Sequence, residues 1–429
     1  MQTLRRTVGI PAGVAITVGA VLGTGVLVLP ALTADQAGPG ALVAWALMAG
    51  MSLVFALTFG RLAVAVPDAG GVAAYVRSAF GPGLGFAAGN LIIATVPLGG
   101  PVAAMIGAVY AVDLFGLPQA LAPLIAFILL FASLALNYRG ITLSARTQMV
   151  AIFSIGLIIL VAVAAALPHV SLARLHPFLP RGWAPVGVDV VLLFWAFVGW
   201  EMTVHLVEEF TDPARDMVRV MVLSVLVVDL VYLALAWVTI GTGAYLGQGH
   251  TVALAVMMAI GLGHGAFYVA GALAILLSFA TTHAYLTGFS RLVYAQARRG
   301  EMPAYLAALH PRHATPSWVL ITLGVLFLLF LGAIALFRLS LATLILLPAS
   351  VFVLLYALAM AAAVRLLARS WERVLALLGC LATLAAVPFT GPVLLYPLAV
   401  LALSLLLYRR LAAPTEKGDA YAPSTRPAP

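Results

Sequence analysis

The sequence carries VGAVLGTGV at residues 18–26 and FWAFVGWE at residues 194–201, each in the middle of a long apolar segment. Glycine costs about 1 kcal/mol relative to alanine inside a helix, so both stretches are places where a helix can unwind. Unwound backbone at membrane depth is tolerated only where it is buried in protein or lines a cavity. The alternative interpretation is a glycine face that lets two helices pack closely.

The composition places the chain in a lipid environment. Of its 429 residues, 64% are hydrophobic and 8% are charged, whereas soluble proteins carry about 25% charged residues. This excludes a cytosolic enzyme, a nucleic-acid-binding domain and a secreted scaffold. The single cysteine, Cys380, allows no intrachain disulfide and makes a cysteine metal site improbable.

Apolar segments long enough to cross a bilayer, about 20 residues each, predict an all-α membrane protein. We predict twelve transmembrane helices, at residues 9–31, 39–62, 83–110, 119–137, 147–167, 187–207, 218–245, 265–290, 316–337, 339–363, 373–389 and 391–408.

Positive charge predicts the orientation of these segments. With the N-terminus in the cytoplasm, all but three of the 22 lysine and arginine residues fall on the cytoplasmic side, the exceptions being Arg174, Arg181 and Arg338. We therefore predict a multi-pass protein of the cytoplasmic (inner) membrane with both termini in the cytoplasm. The net charge of +8 follows from this topology, and no nucleic-acid partner is expected.

The spacing of the two glycine stretches predicts an internal repeat. They lie in the first and the sixth predicted segments, which run in opposite directions, as a five-plus-five inverted repeat requires. Two interrupted helices in corresponding positions of such halves are typical of a secondary transporter. We predict one transporter domain over residues 1–411, with repeats at 9–167 and 187–363, two extra helices at 373–408 and a disordered cytoplasmic tail at 412–429.

Ionisable and polar residues inside the membrane are functional candidates by default. Glu201 and Asp229 are the candidates for proton coupling, and each could instead be a hydrogen-bonded structural acid. Asn90 is either a polar contact for a substrate or a helix–helix hydrogen bond. His205 and His283 are expected to be packing residues, although histidine can titrate near neutral pH.

Four stretches, in order over most of the chain, resemble the amino acid–polyamine–organocation (APC) superfamily, whose members have the leucine-transporter fold. The narrower resemblance is to its bacterial methionine and branched-chain amino acid exporters. The stretches are Gly23-Thr24-Gly25-Val26; Pro67-Asp68-Ala69-Gly70-Gly71 with Tyr75 and Phe80-Gly81; Phe197-Val198-Gly199-Trp200-Glu201 with Glu208-Glu209 and residues 212–215; and residues 290–295 with 299–303.

The resemblance implies that backbone groups of the two unwound regions hold an amino acid. The first region would face the carboxylate, and the second would supply carbonyl groups for the ammonium and walls for the side chain. The implied substrate-binding residues are Ala20, Gly23, Thr24, Gly25, Asn90, Phe194, Trp195, Ala196, Phe197, Val198 and Gly199. Thr281 and Thr282 could contribute to a sodium site, or simply join helices.

No acidic or basic residue lies in the third, eighth or tenth segment where a charged substrate side chain could pair, and leaving that charge unpaired is costly. We therefore expect a transporter of neutral, mainly hydrophobic L-amino acids (methionine, leucine, isoleucine and valine), working by alternating access, with export as the net direction on resemblance alone.

A cationic amino acid or polyamine permease is the alternative, with Glu201 and Asp229 as its two intramembrane acids. A membrane-embedded enzyme is a distant third, because no catalytic motif is present; no catalytic residue, cofactor or metal is expected. A proton is the expected coupling ion, while sodium coupling, exchange and uniport stay open, as does the oligomeric state.

Overall fold

The computed structural model describes residues 9–68, 70–141, 145–204, 207, 210–247, 251–298, 300 and 302–412. These residues form α-helices joined by turns and short 3₁₀ segments. The helices of the first half are α1 (Ile10–Val21), α2 (Gly25–Ala37), α3 (Ala41–Ala65), α4 (Gly71–Phe80), α5 (Pro82–Ala94), α6 (Val96–Phe115), α7 (Ala122–Tyr138) and α8 (Ala145–Ala166). Those of the second half are α9 (Ala184–Phe197), α10 (Trp200–Thr203), α11 (Pro213–Thr242), α12 (Ala253–Leu262), α13 (His264–Arg298), α14 (Ser317–Phe337), α15 (Leu341–Leu366), α16 (Ser370–Ala386) and α17 (Leu395–Ala412).

The all-helical membrane architecture is confirmed, but the twelve-helix count is not. Nine stretches of the described residues are long and apolar enough to cross a membrane, and three shorter apolar helices accompany them. The difference comes from how helices join and break. The 3₁₀ turn Gly38–Gly40 runs α2 into α3, and the 3₁₀ segment Val387–Leu394 runs α16 into α17, so each pair counts as one stretch. The fifth predicted segment counts among the shorter helices, as Phe153–His169, and so does α1, which is cut short by the break before Gly25.

Two helices lie outside the predicted segments. They are α4 and α12, ten residues each, and both are too short to meet a search for spans of about 20 residues. The predicted tail 412–429 lies outside the described residues except for its first residue.

The first and second broken helices run antiparallel across each other. The start of α2 packs against the end of α9, because a Cβ at Gly25 would lie 3.2 Å from Ala196 Cα. The end of α1 packs against the start of α10, because a Cβ at Gly199 would lie 3.0 Å from the Ala20 carbonyl oxygen. Farther from the crossing, the Thr203 hydroxyl donates to Thr17 Oγ1 at 3.1 Å.

Buried aromatic rings surround this crossing and fix α9 against its neighbours. Phe197 packs edge-on against Tyr232 of α11, with ring centroids 4.9 Å apart, and also contacts Trp45 of α3. Phe194 lies 6.0 Å from the ring of Tyr356 of α15. Such edge-to-face pairs are favourable beyond their burial, so the crossing is held by a rigid aromatic core on one side.

Candidate functional site

The first break lies at residues 22–24, between α1 and α2. Helix α1 ends at Val21, Leu22 leaves the helical region with ψ 65°, and α2 begins at Gly25 with Thr24 as its N-cap. The Thr24 side chain makes no capping hydrogen bond. The Leu27 amide donates to the Thr24 carbonyl oxygen at 3.1 Å. The amides of Gly25 and Val26 precede the first intrahelical bond, and they form the positive pole of α2.

The second break lies at residues 198–199, between α9 and α10. Val198 is extended, and Gly199 has φ +132°, a conformation that residues with a Cβ rarely adopt. A side chain at this position would also collide with the end of α1. Gly199 is thus required both for its backbone angle and for the close approach of the two helices. The predicted interruption of both glycine stretches is confirmed.

One side chain joins the two breaks. The Tyr232 hydroxyl of α11 shares its hydrogen between the carbonyl oxygens of Val21 (3.0 Å) and Ala196 (3.1 Å), in the last turns of α1 and α9. These carbonyls lack partners within their own helices because each helix stops there. Tyr232 is fully buried, so its hydroxyl donates to these carbonyl oxygens at a place that water does not reach.

We expect Tyr232→Phe to lower the free energy of unfolding by about 1–3 kcal/mol, because the Ala196 carbonyl loses the Tyr232 donor and the Val21 carbonyl keeps only the Gly23 amide, at 2.7 Å. We also expect it to slow, at least tenfold, the amino acid exchange that the APC resemblance implies. Thermal unfolding in detergent and exchange in proteoliposomes measure the two effects. Tyr396→Phe is the matched control, since the Tyr396 hydroxyl donates to one carbonyl, that of Ala94, at 2.7 Å. The control should lose similar stability and keep its exchange rate. Equal exchange rates in the two variants would contradict a role for Tyr232 in positioning the breaks.

Glu201 fastens the second break to α15. Its Oε2 accepts the Gly199 amide N–H at 3.0 Å and also the hydroxyl of Tyr356. The side chain is 5% exposed. These contacts hold α10 in place after the break, whatever else the carboxyl group does.

A second group of residues meets beside Gly25, on the side of α9 away from the aromatic core. A Cβ at Gly99 of α6 would lie 3.3 Å from Trp195 Cη2 and 3.0 Å from the Tyr285 hydroxyl oxygen of α13, and one at Gly25 would lie 3.0 Å from Trp195 Cδ1. Trp195 and Tyr285 are half-buried. Small residues at Gly25 and Gly99 thus leave room for two large aromatic side chains beside the first break. The sequence analysis missed Gly99 and Tyr285; the available signal was the glycine pair 99–100 between two prolines.

The two halves of the first broken helix are packed differently. On α1, residues Ala12, Ile16 and Ala20 are exposed and form one stripe that leads to the half-buried Gly23. Helix α2 is buried along most of its length, and the Tyr110 hydroxyl of α6 donates to its Leu27 carbonyl oxygen at 2.7 Å. The α2 side of the breaks is therefore sealed by packed protein, whereas one apolar face of α1 is not covered by protein.

The remaining residues named from the sequence fall into three groups. Phe194 and Phe197 pack into the aromatic core, whereas Trp195 and Val198 are half-buried. Asp229 accepts a hydrogen bond from Ser52 at 2.8 Å and lies one turn from Tyr232 on α11.

The others are farther removed: the Asn90 amide donates to Ser404 of α17, and the Thr282 hydroxyl bonds back to the Ser278 carbonyl oxygen. Thr281 is half-buried on α13. His283 accepts from Asn137 at 3.0 Å in a buried contact between α13 and α7. His205, Glu208 and Glu209 lie outside the described residues.

One intramembrane acid escaped the sequence analysis. Besides Glu201 and Asp229, α9 carries Asp189, which is 0% exposed. The expectation of two intramembrane acids is therefore wrong. The residue lies within the predicted segment 187–207, where a single aspartate among valines and leucines was the available signal.

A family model described as "Amino acid permease" matches residues 11–413. The chain belongs to the amino acid permease family. The permease is 39% identical, over 86% of its length and 87% of the other chain, to the uncharacterized amino acid permease YecA of Bacillus subtilis. It is 32% identical, over 88% and 90%, to the L-methionine/branched-chain amino acid exporter YjeH of Escherichia coli. It is 29% identical, over 73% and 72%, to the branched-chain amino acid permease BcaP of Bacillus subtilis. These relatives agree with the APC superfamily resemblance and with a multi-pass membrane protein.

Proposed function

We propose that this permease moves neutral, mainly hydrophobic L-amino acids, such as methionine, leucine, isoleucine and valine, across the cytoplasmic membrane by alternating access. The observation that carries the proposal is the pair of antiparallel helices that break in contact with each other, joined by Tyr232. Membership of the amino acid permease family supports it. The five-plus-five repeat belongs to the same proposal, with the breaks in its first and sixth helices.

The backbone at the breaks suits the two charges of an amino acid. The amides of Gly25 and Val26, at the start of α2 beside Gly23 and Thr24, favour a carboxylate, whereas the Gly23 amide already donates to the Val21 carbonyl oxygen. Carbonyl groups in the last turn of α9 that Tyr232 does not occupy suit an ammonium group. Trp195 and Tyr285 then provide the wall for the side chain.

The surroundings of that wall favour a neutral side chain. The Tyr285 hydroxyl, which lies beside Gly99 as Trp195 does, is 3.4 Å from the Thr95 hydroxyl. Of the two acids on the same broken helix, Glu201 already accepts two hydrogen bonds through Oε2, and Asp189 is fully buried. A cationic substrate would leave a charge without a counter-charge, which costs several kcal/mol. This disfavours the polyamine and cationic amino acid alternative.

Orientation and direction belong to the same proposal. In the orientation that the positive-inside rule predicts, the α1 half of the first broken helix lies toward the cytoplasm and the sealed α2 half lies toward the outside. Export is the proposed direction, and the 32% identical exporter supports it. Proton coupling is proposed, with Glu201 and Asp229 as candidates; Thr281 and Thr282 are the candidates for a sodium site.

Counterflow in proteoliposomes tests substrate class. Vesicles loaded with unlabelled leucine should accumulate labelled leucine, methionine, isoleucine and valine at least tenfold faster than labelled arginine or putrescine. The same vesicles without protein are the control. Faster uptake of arginine or putrescine would overturn the proposed substrate class, and absence of counterflow with every amino acid of the panel would overturn the proposed function.

A further inference from the structure

Asp189 is a carboxyl group without a partner. It lies on α9, it is 0% exposed, and neither of its oxygens has a hydrogen-bond partner among the described residues. The other two intramembrane acids are satisfied: Glu201 by Gly199 and Tyr356, and Asp229 by Ser52. Of these three acids, Asp189 is therefore the one that no hydrogen bond among the described residues stabilises.

No cation of the described part of the chain lies against Asp189. The elements packed on α9 are α2, α3, α15, α16 and the segment Val387–Leu394, and α10 follows α9 after the break. Of the titratable or charged groups on these elements, Asp35 on α2 is exposed, and Arg61 on α3 pairs with Glu372 of α16. On α15, Tyr356 donates to Glu201 of α10, and Arg365 donates to the Ala79 carbonyl oxygen. The others are Arg373 and Cys380 on α16. Arg181, in the loop before α9, donates to the Asp35 and Gln36 carbonyl oxygens.

An ionised carboxylate without water, hydrogen bonds or a counter-charge is strongly unfavourable. A protonated carboxyl group, which is neutral, is tolerated much better in the same place. The conformation described here thus requires Asp189 to carry a proton.

Asp189 lies next to the sealed α2 half of the first broken helix. Residues three before and seven after it share its helical face. Those residues, Val186 and Ala196, approach Gly40 and Gly25, where added Cβ atoms would lie 3.4 and 3.2 Å away. Asp189 therefore lies along the seam between α9 and the α2 half. Because α9 packs against α2, α3 and α15, an opening that separates α9 from these helices admits water to Asp189.

We propose that Asp189 is a proton-binding site reached from the sealed side, and that its protonation is required for that side to close. The inference rests on the proposed alternating-access function. Because the proton enters and leaves from the same side, pH on that side sets the ratio of open to closed protein without net proton transport. Closure binds one proton, so raising the pH on that side favours opening by up to about tenfold per pH unit.

Exchange at varied external pH tests this proposal, because the sealed side faces outward in the proposed orientation. Wild-type exchange, when limited by outward opening, should rise severalfold per unit as external pH is raised. Asp189→Asn, which is neutral at every pH, should show a flat profile. Asp35→Asn, an exposed acid on the same side, should keep the wild-type slope. An Asp189→Asn profile as steep as the wild-type profile would overturn the proposal.

Infrared spectroscopy provides a measurement that does not depend on transport. Purified wild-type protein should show a carbonyl band from a protonated carboxyl group without hydrogen bonds, at a pH where exposed acids are ionised. The band should disappear in Asp189→Asn, or in Asp189→Ser if the asparagine variant unfolds, and persist in Asp35→Asn. Absence of the band in wild-type protein would overturn the proposal. If the wild-type protein shows the band but exchanges no amino acid in proteoliposomes, the proposed function is overturned instead.

Discussion

Gly25→Leu is expected to reduce amino acid transport by about 10- to 100-fold, the largest effect predicted for a single substitution in this permease. A Cβ at this position would lie 3.0 Å from Trp195 Cδ1, 3.1 Å from Leu29 Cδ1 and 3.2 Å from the backbone of Ala196. Overpacking of such a site costs about 1–3 kcal/mol, and the backbone of Ala196 cannot turn aside as a flexible side chain would. The leucine therefore pushes the two breaks apart.

The matched control for this experiment is Gly50→Leu. Gly50 is also a glycine in the interior of a helix, α3, but its surroundings are open, with no atom within 4 Å of an added Cβ. Leucine counterflow and thermal unfolding should be measured on both variants. We expect Gly50→Leu to transport within about twofold of wild type, since surface changes away from special features have small effects. Wild-type counterflow by Gly25→Leu would contradict the placement of the substrate at the first break.

Glu201→Ala is expected to have the second largest effect, because it leaves two buried donors, the Gly199 amide and the Tyr356 hydroxyl, without the acceptor they share. An unsatisfied buried group costs about 1–3 kcal/mol, so we expect about a 20-fold loss of transport. Glu201→Gln retains an oxygen that can accept from Gly199, and should lose about tenfold. Counterflow at several values of pH measures both variants.

The pH dependence distinguishes two roles of Glu201. If the side chain chiefly fastens the second break, Glu201→Gln keeps the shape of the wild-type pH profile, and Tyr356→Phe lowers transport to a similar extent. If Glu201 carries the coupling proton, Glu201→Gln flattens the profile while Tyr356→Phe leaves it unchanged in shape. The hydrogen bonds favour the first outcome. Glu372→Gln, an acid at the α3–α16 contact away from the breaks, is the control.

Asp189 shows that a buried acid with hydrogen-bond donors and a buried acid without them must be interpreted differently. Glu201 and Asp229 attract attention in the sequence because they interrupt apolar segments, yet both have hydrogen-bond donors in the structure. Asp189 interrupts α9 in the same way and has none. Only the surroundings distinguish a structural acid from one that must hold a proton.

Local sequence is sufficient to predict the membrane class and the positions of both breaks. Charge content and apolar length determine the solvent, and the glycines at 23, 25 and 199 weaken the helix wherever they occur, independently of any partner. The number of separate spans was not predictable in the same way, because 3₁₀ turns join some predicted helices, and α4 and α12 are shorter than a span.

Tertiary packing decided everything that depends on partners distant in the chain. Tyr232 lies 211 residues from Val21, and Tyr356 lies 155 residues from Glu201. Gly99 and Tyr285 come from different helices, and the isolation of Asp189 is a property of five surrounding elements rather than of its own segment. Lipid-facing and protein-facing sides of these helices are equally apolar in sequence, because lipid and protein interiors are both apolar solvents. Which side chain meets which hydrogen-bonding group is therefore decided only when the helices pack.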